Sequence, residues 1–157
     1  MTTKNWKTGR LLSMCAALSV AVASQAGPAP GKQRVIEITG NDSMRYNLAE
    51  IDAKPGELLE VQLTNVGRLP KAAMAHDWVL LKPMSLTDIA AFAASASLKA
   101  PGYLPEDRSA VLAHTKMLGP KETDSIEFTA PSKPGTYPFI CTFPGHYVLM
   151  KGELIVK

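Results

Sequence analysis

The stretch Leu58-Leu59-Glu60-Val61-Gln62-Leu63-Thr64-Asn65-Val66 alternates apolar and polar side chains from Leu59 to Thr64. Successive side chains of a strand face opposite ways, so Leu59, Val61 and Leu63 share a buried face while Glu60, Gln62 and Thr64 share a wet one. Short β-rich runs recur at 35–39, 76–81, 109–115, 124–129, 136–141 and 152–157. Between them stand turn clusters: Gly40-Asn41-Asp42, Lys54-Pro55-Gly56, Gly119-Pro120-Lys121 and Lys133-Pro134-Gly135. Many short strands punctuated in this way predict an all-β fold, a Greek-key sandwich or barrel. One segment breaks the pattern. Residues 85–98 are rich in Ala and open on Ser85 with Asp88 three positions on, which predicts a capped helix inserted on the outside of the β scaffold. Residues 99–108, with Pro101, Gly102 and Pro105, read as loop.

The N-terminus reads as an export signal. Lys4, Lys7 and Arg10 precede an apolar stretch at 11–23, long enough for a signal-peptide core and too short to span a bilayer. Ser24-Gln25-Ala26 offers small residues for cleavage, so residues 1–26 are expected to be removed and the mature domain to occupy residues 27–157 of a periplasmic protein. Lys4, Lys7 and Arg10 account for the whole formal charge of +3, which leaves the mature chain near neutrality. Phosphate binding needs Lys and Arg in excess and arranged as a patch, so nucleic acid is not an expected partner. The length suits a single domain with a real core.

Cleavage would leave one cysteine, Cys141. A lone thiol in an oxidising compartment is a liability unless something occupies it; the two readings are a metal ligand and a small buried hydrophobe. Strand alternation puts Tyr137, Phe139 and Cys141 on one face, and His76, Trp78 and Leu80 on one face of another strand. After the cysteine the chain reads Cys141-Thr142-Phe143-Pro144-Gly145-His146-Tyr147-Val148-Leu149-Met150. The Pro144-Gly145 turn lets His146 fold back beside the thiol. With His76 the set is two His, one Cys and one Met, the trigonal His₂Cys plus weak axial Met inventory of electron-transfer copper sites. A zinc site would more usually take another Cys, His or carboxylate.

The loop Cys141-Thr142-Phe143-Pro144-Gly145-His146 followed by Leu149-Met150-Lys151-Gly152 resembles the copper loop of the azurins, including its ligand spacing. Met74-Ala75-His76-Asp77-Trp78-Val79-Leu80, preceded by Leu69-Pro70-Lys71, resembles the segment that supplies their first histidine. Gly40-Asn41-Asp42 with Met44, and Ala113-His114-Thr115-Lys116, match in order and spacing. The resemblance runs from about Val35 to Lys157. It implies the cupredoxin fold, about eight strands with an external helical flap, and one type 1 copper per chain cycling between Cu(I) and Cu(II). It further implies His76, Cys141 and His146 as equatorial ligands, Met150 as axial ligand and the backbone carbonyl of Ala75, where the family usually has glycine, as a fifth contact. Asp77 stands where the family usually carries asparagine and, with Thr142 and Phe143, would surround the ligands; an ionised aspartate there favours Cu(II) and a lower potential. Met44, Leu69, Met74, Phe143 and Val148 would ring the exposed edge of His146 as a docking patch for redox proteins such as c-type cytochromes, reductases or terminal oxidases. Arg34 and Gly56 fall where the family has a disulfide, and Asn65 where some members have a pH-sensitive histidine.

A copper-delivery protein could use the same soft ligands but would favour a more open site. A Cys-His hydrolase would need an oxyanion hole that nothing in the loop suggests. The expected role is therefore that of a monomeric, transiently docking electron carrier without catalytic residues. His114 reads as a surface histidine and Trp78 as core.

Overall fold

The computed structural model describes residues 1–2 and 33–157, so the expected signal segment and cleavage point lie outside the described residues. Among the described residues nine strands form two open sheets. The first sheet has the order β2-β1-β4-β7: β1 (Arg34–Asn41), β2 (Arg45–Tyr46), β4 (Leu58–Asn65) and β7 (Thr123–Thr129). The second has the order β3-β9-β8-β5-β6: β3 (Glu50–Ala53), β5 (Val79–Leu81), β6 (Val111–His114), β8 (Gly135–Ile140) and β9 (Lys151–Val156). The architecture is the expected sandwich, with one strand more than the eight expected and, among the described residues, no closed barrel. No described helix is long and apolar enough to cross a membrane.

Alternation builds the core. Leu59, Val61 and Leu63 of β4 are fully buried and Ile36 and Ile38 enter from β1; Tyr137, Phe139, Leu154 and Val156 meet them from the second sheet. Burying each large aliphatic side chain contributes about 1.5–3 kcal/mol, which makes this shared layer the main source of stability. β1 pairs with β4 in parallel, Ile36 beside Val61, and β3 pairs with β9 in parallel, Ile51 beside Leu154. The second pairing joins segments about a hundred residues apart, which ties the first third of the domain to its end.

In β5 the alternation disappears: Val79, Leu80 and Leu81 are all buried. Leu80 faces the sandwich core, whereas Val79 and Leu81 pack with Ile140 under Ile89 and Ala93 of the helix α2 (Leu86–Ser97). That helix begins as expected. Ser85 Oγ accepts from Asp88 N at 3.1 Å and the Asp88 carboxylate accepts from Ser85 N at 3.3 Å, closing a capping box. The expected 76–81 strand is shorter than its pattern: His76 makes only an isolated bridge to Leu118.

Arg34, expected from the resemblance to stand with Gly56 in place of a disulfide, grips Glu57 through Nε at 2.7 Å and Nη2 at 3.3 Å, and donates to the Asp52 carbonyl at 2.5 Å. This fork joins the start of β1 to the turn before β4 and to β3. It is solvent-exposed and worth at most about 1 kcal/mol.

Trp78 is fully buried between Phe128 and Phe139, at ring-centroid distances of 5.8 and 5.4 Å, and its indole N–H has no acceptor. Removing the ring is costly but removing the N–H is not. Urea unfolding is expected to show Trp78→Ala destabilised by about 3–5 kcal/mol and Trp78→Phe by a clearly smaller amount.

Candidate metal centre

At one end of the sandwich three ligand-capable side chains converge. His76, Cys141 and His146 are 0, 0 and 3% exposed, and their donor atoms all lie within 4.8 Å of one another. Cys141 follows β8 directly, so its inward direction continues that of Tyr137 and Phe139. His146 starts a short 3-10 turn (His146–Val148) just after Gly145, whose φ of +82° is a conformation that glycine adopts without strain. Met150 ends the loop and is fully buried.

The backbone fixes these positions. Cys141 N donates to the Met150 carbonyl at 2.9 Å, Met150 N to the His146 carbonyl at 2.7 Å and His146 N to the Phe143 carbonyl at 3.0 Å. The loop is thus pinned at both ends and in its middle. His76 exchanges two backbone hydrogen bonds with Leu118, at 3.0 and 2.7 Å. Asp77 joins the two halves, its carboxylate accepting from Thr142 N at 2.7 Å and from Thr142 Oγ1 at 2.5 Å.

Cys141 Sγ lies 3.7 Å from His146 Nδ1 and 4.0 Å from His76 Nδ1. Bonds of about 2.3 Å to sulfur and about 2.0 Å to nitrogen, spread at 120° around a first-row ion, separate S and N by about 3.7 Å. The residues therefore fit one ion in a plane of one thiolate and two imidazoles. The Ala75 carbonyl lies 4.0 Å from the same sulfur, and its backbone is ordinarily extended (φ −76°, ψ 154°), so the methyl in place of glycine introduces no strain.

Several supporting residues carried no signal in their local pattern. Gly40, read as a turn residue, faces the site: a Cβ there would stand 2.6 Å from Met150 Cε and 3.1 Å from His76 Cδ2. Tyr46 donates its hydroxyl to the Asp77 carbonyl. Asn65 is fully engaged, donating to the carbonyls of Leu118 at 3.1 Å and Met74 at 3.3 Å and accepting from Gly67 N at 2.9 Å. Only tertiary approach reveals these roles.

The expected surface residues divide. Leu69 and Val148 are 44 and 54% exposed. Met44 and Met74 are half-buried, and Phe143 is buried with its ring 4.6 Å from that of His146. His114 is half-buried, with Nδ1 3.0 Å from the Thr115 carbonyl.

A profile of copper binding proteins, the plastocyanin/azurin family, matches residues 33–157. The chain belongs to this family. An azurin of Achromobacter denitrificans is 37% identical over 142 residues, covering 88% of this chain and 95% of that protein. An azurin of Pseudomonas aeruginosa is 40% identical over 125 residues, covering 78% and 84%. Among solved structures, the dithionite-reduced auracyanin of Roseiflexus castenholzii superposes with a TM-score of 0.70 at 35% identity, covering 78% of this chain and 96% of its own. Auracyanin A of Chloroflexus aurantiacus, described as a blue copper protein, gives 0.72 at 32% identity, with coverages of 80% and 99%. The cofactor of this plastocyanin/azurin family member is copper, and the cluster of His76, Cys141 and His146 suits a single ion.

Burial controls the protonation of the metal-free site. It pushes the Cys141 thiol well above its ordinary value, with the neighbouring Asp77 charge adding to the effect. Burial lowers His76, and lowers His146 to about 4 with the positive form of His76 contributing. Burial raises Asp77 to about 6 against the opposing hydrogen bonds from Thr142. At pH 7 the thiol is protonated and both imidazoles are neutral, so metal binding has one proton to displace. Titration with redox-inert Zn(II) in unbuffered solution at pH 7 is expected to release about one proton per ion. The sign for stability follows from the same shifts. Unfolded histidines bind protons near pH 6.5 that the folded ones refuse, so the metal-free fold weakens as pH falls from 6.5 toward 4; Asp77, with its raised value, opposes this as it protonates through about 6. Asp77→Asn is expected to steepen the acid-side loss of stability followed by circular dichroism.

Proposed function

We propose that this protein is a one-electron carrier of the blue copper type, in which the Nδ1 atoms of His76 and His146 and the Sγ of Cys141 form the equatorial set. Met150, buried at the end of the loop, and the Ala75 carbonyl would complete the set that holds the copper. The observation that carries this reading is the convergence of one thiol and two imidazoles, at separations suited to a single ion, in a buried site closed by a methionine. Bound copper supplies a one-electron couple between Cu(II) and Cu(I), and thiolate with imidazole and thioether is soft enough to hold both states.

The chain's own contribution is constancy of position. An electron carrier works best when its ligands move little between oxidation states, and here each ligand-bearing segment is held by backbone hydrogen bonds that do not involve the metal. The Asp77–Thr142 pair locks the His76 segment to the loop of the other three ligands. Asp77 also adds a negative charge near the thiolate once ionised, which favours the more positive oxidation state. Phe143, stacked on His146, limits how far that ring can tilt.

Exchange with partners is assigned to the exposed Leu69 and Val148, together with the half-buried Met44 and Met74 and the buried Phe143. A small apolar contact without salt bridges releases as readily as it binds, as a shuttle requires. We further assign residues 1–26 to a cleaved export signal, residues 27–157 to the copper domain, and the working compartment to the periplasm, where c-type cytochromes or reductases are suitable partners for a monomer.

Three experiments test this. Addition of Cu(II) is expected to produce an intense blue absorption that Cys141→Ser abolishes, and cyclic voltammetry is expected to place Asp77→Asn at a higher potential than the parent at pH 7 or above. A colourless copper complex would end the carrier reading. Intact-mass measurement of protein recovered from the periplasm is expected to show a chain beginning near Gly27.

A further inference from the structure

A groove of about 360 Å³ shares Met117 with the packing around the metal centre, and its charged lining is cationic. Lys71, Arg108, His114 and Lys116 supply the charged or ionisable groups, and no carboxylate lines it. Arg108 enters no ion pair among the described residues. Lys71 pairs with Glu122 at 2.8 Å and Lys116 with Asp124 at 3.3 Å, both lysines being well exposed. Such surface pairs are worth under about 1 kcal/mol, so a competing anion displaces the carboxylates at little cost. With Nδ1 of His114 against the Thr115 carbonyl, Nε2 is the ring nitrogen left for a ligand.

Two contacts lead from the groove to the metal site. Met117 lines the groove and also packs against the cluster of Ala75, Cys141, Phe143 and Met150. Pro101, Gly102 and Leu104 also line it, and Tyr103, which lies between Gly102 and Leu104 in sequence, meets Phe143 edge-on at 5.3 Å; Phe143 in turn lies 4.6 Å from His146. A group held in the groove is therefore one packed layer from the ligands. An apolar face alone gives little long-range attraction, whereas a cationic groove steers anions.

We propose that this groove is a second docking site, which takes protruding carboxylates of an acidic redox partner and admits an electron through Met117 or through Tyr103 and Phe143. It rests on the electron-carrier reading. The step is a single electron passing from the reduced partner to the oxidised centre, with no bond made or broken and no proton moved.

The test uses ¹⁵N-labelled protein, reduced and copper-loaded in one series and metal-free in another, titrated with a hexaglutamate peptide and separately with inorganic phosphate. The peptide is expected to shift the amides of Tyr103, Arg108, His114, Lys116 and Met117 saturably, and the exposed double substitution Arg108→Glu with Lys116→Glu is expected to weaken binding at least about tenfold. In stopped flow at low ionic strength, reduction of the Cu(II) protein by ferrocyanide is expected to slow by about tenfold in that variant, while reduction by hexaammineruthenium(II) is not slowed. Peptide shifts confined to the surroundings of Leu69 and Val148 overturn the proposal. Saturation by phosphate without saturation by peptide makes the groove a small-oxyanion site and also overturns it. Unchanged ferrocyanide kinetics in a variant that has lost the peptide show that electrons do not enter here. Peptide binding by a protein that takes up no copper overturns the carrier reading, and the electron-transfer role of the groove with it.

Discussion

Two hydrogen bonds from Thr142 to the carboxylate of Asp77 hold the two ligand-bearing segments together just beyond the point where the pairing of β5 with β8 ends. His76 belongs to a segment anchored to Leu118, on the side of β5 and β6, whereas Cys141, His146 and Met150 belong to one loop between β8 and β9. A metal plane built from both segments has a defined size only if their separation is defined. The strap is short, buried and doubly bonded, and bonds to a charged acceptor are among the stronger neutral-to-ion contacts available to a protein. Its burial also makes the carboxylate hard to ionise, so the same residue trades tightness of the strap against the cost of a charge in the interior.

Around that strap the sandwich acts as a frame. Gly40 of β1 yields the space that Met150 and His76 occupy, Tyr46 of β2 reaches the Asp77 backbone, and Asn65 at the end of β4 collects three backbone groups around the His76 segment. None of these residues contributes a donor atom to the plane. They decide where the donors stand, and they do so from the first sheet, while the second sheet carries the loop. The site is thus a product of the packing of one sheet on the other.

Much of this was legible in the sequence because it is local. The alternation at Leu59, Val61 and Leu63 identified a strand with one buried face, and Ser85 with Asp88 announced the start of the helix. The close spacing of Cys141, His146 and Met150 announced a donor-rich loop. What stayed hidden depends on distant partners. β2 is two residues long and β3 four, too short for a period to be read, and β3 exists because it lies parallel to β9. The burial of all three residues of β5 reflects the helix laid over its outer face, which no local pattern encodes. The resemblance placed Phe143 both around the ligands and in the exposed patch; ring contacts with His146 and, edge-on, with Tyr103 draw it inside. The cationic groove is assembled from Lys71, Arg108 and Lys116, positions far apart in the chain, and so had no signature in the sequence.

An exposed fork of Arg34 on Glu57 and Asp52 ties the start of β1 to its neighbours without sulfur, and Cys141 is the one cysteine among the described residues, buried beyond the reach of solvent. Among the described residues no disulfide holds the scaffold. A change in the thiol balance of its surroundings therefore leaves that part of the architecture untouched. Electron chemistry is concentrated at a single place in the molecule, and the framework that holds it is indifferent to the oxidants and reductants it is there to serve.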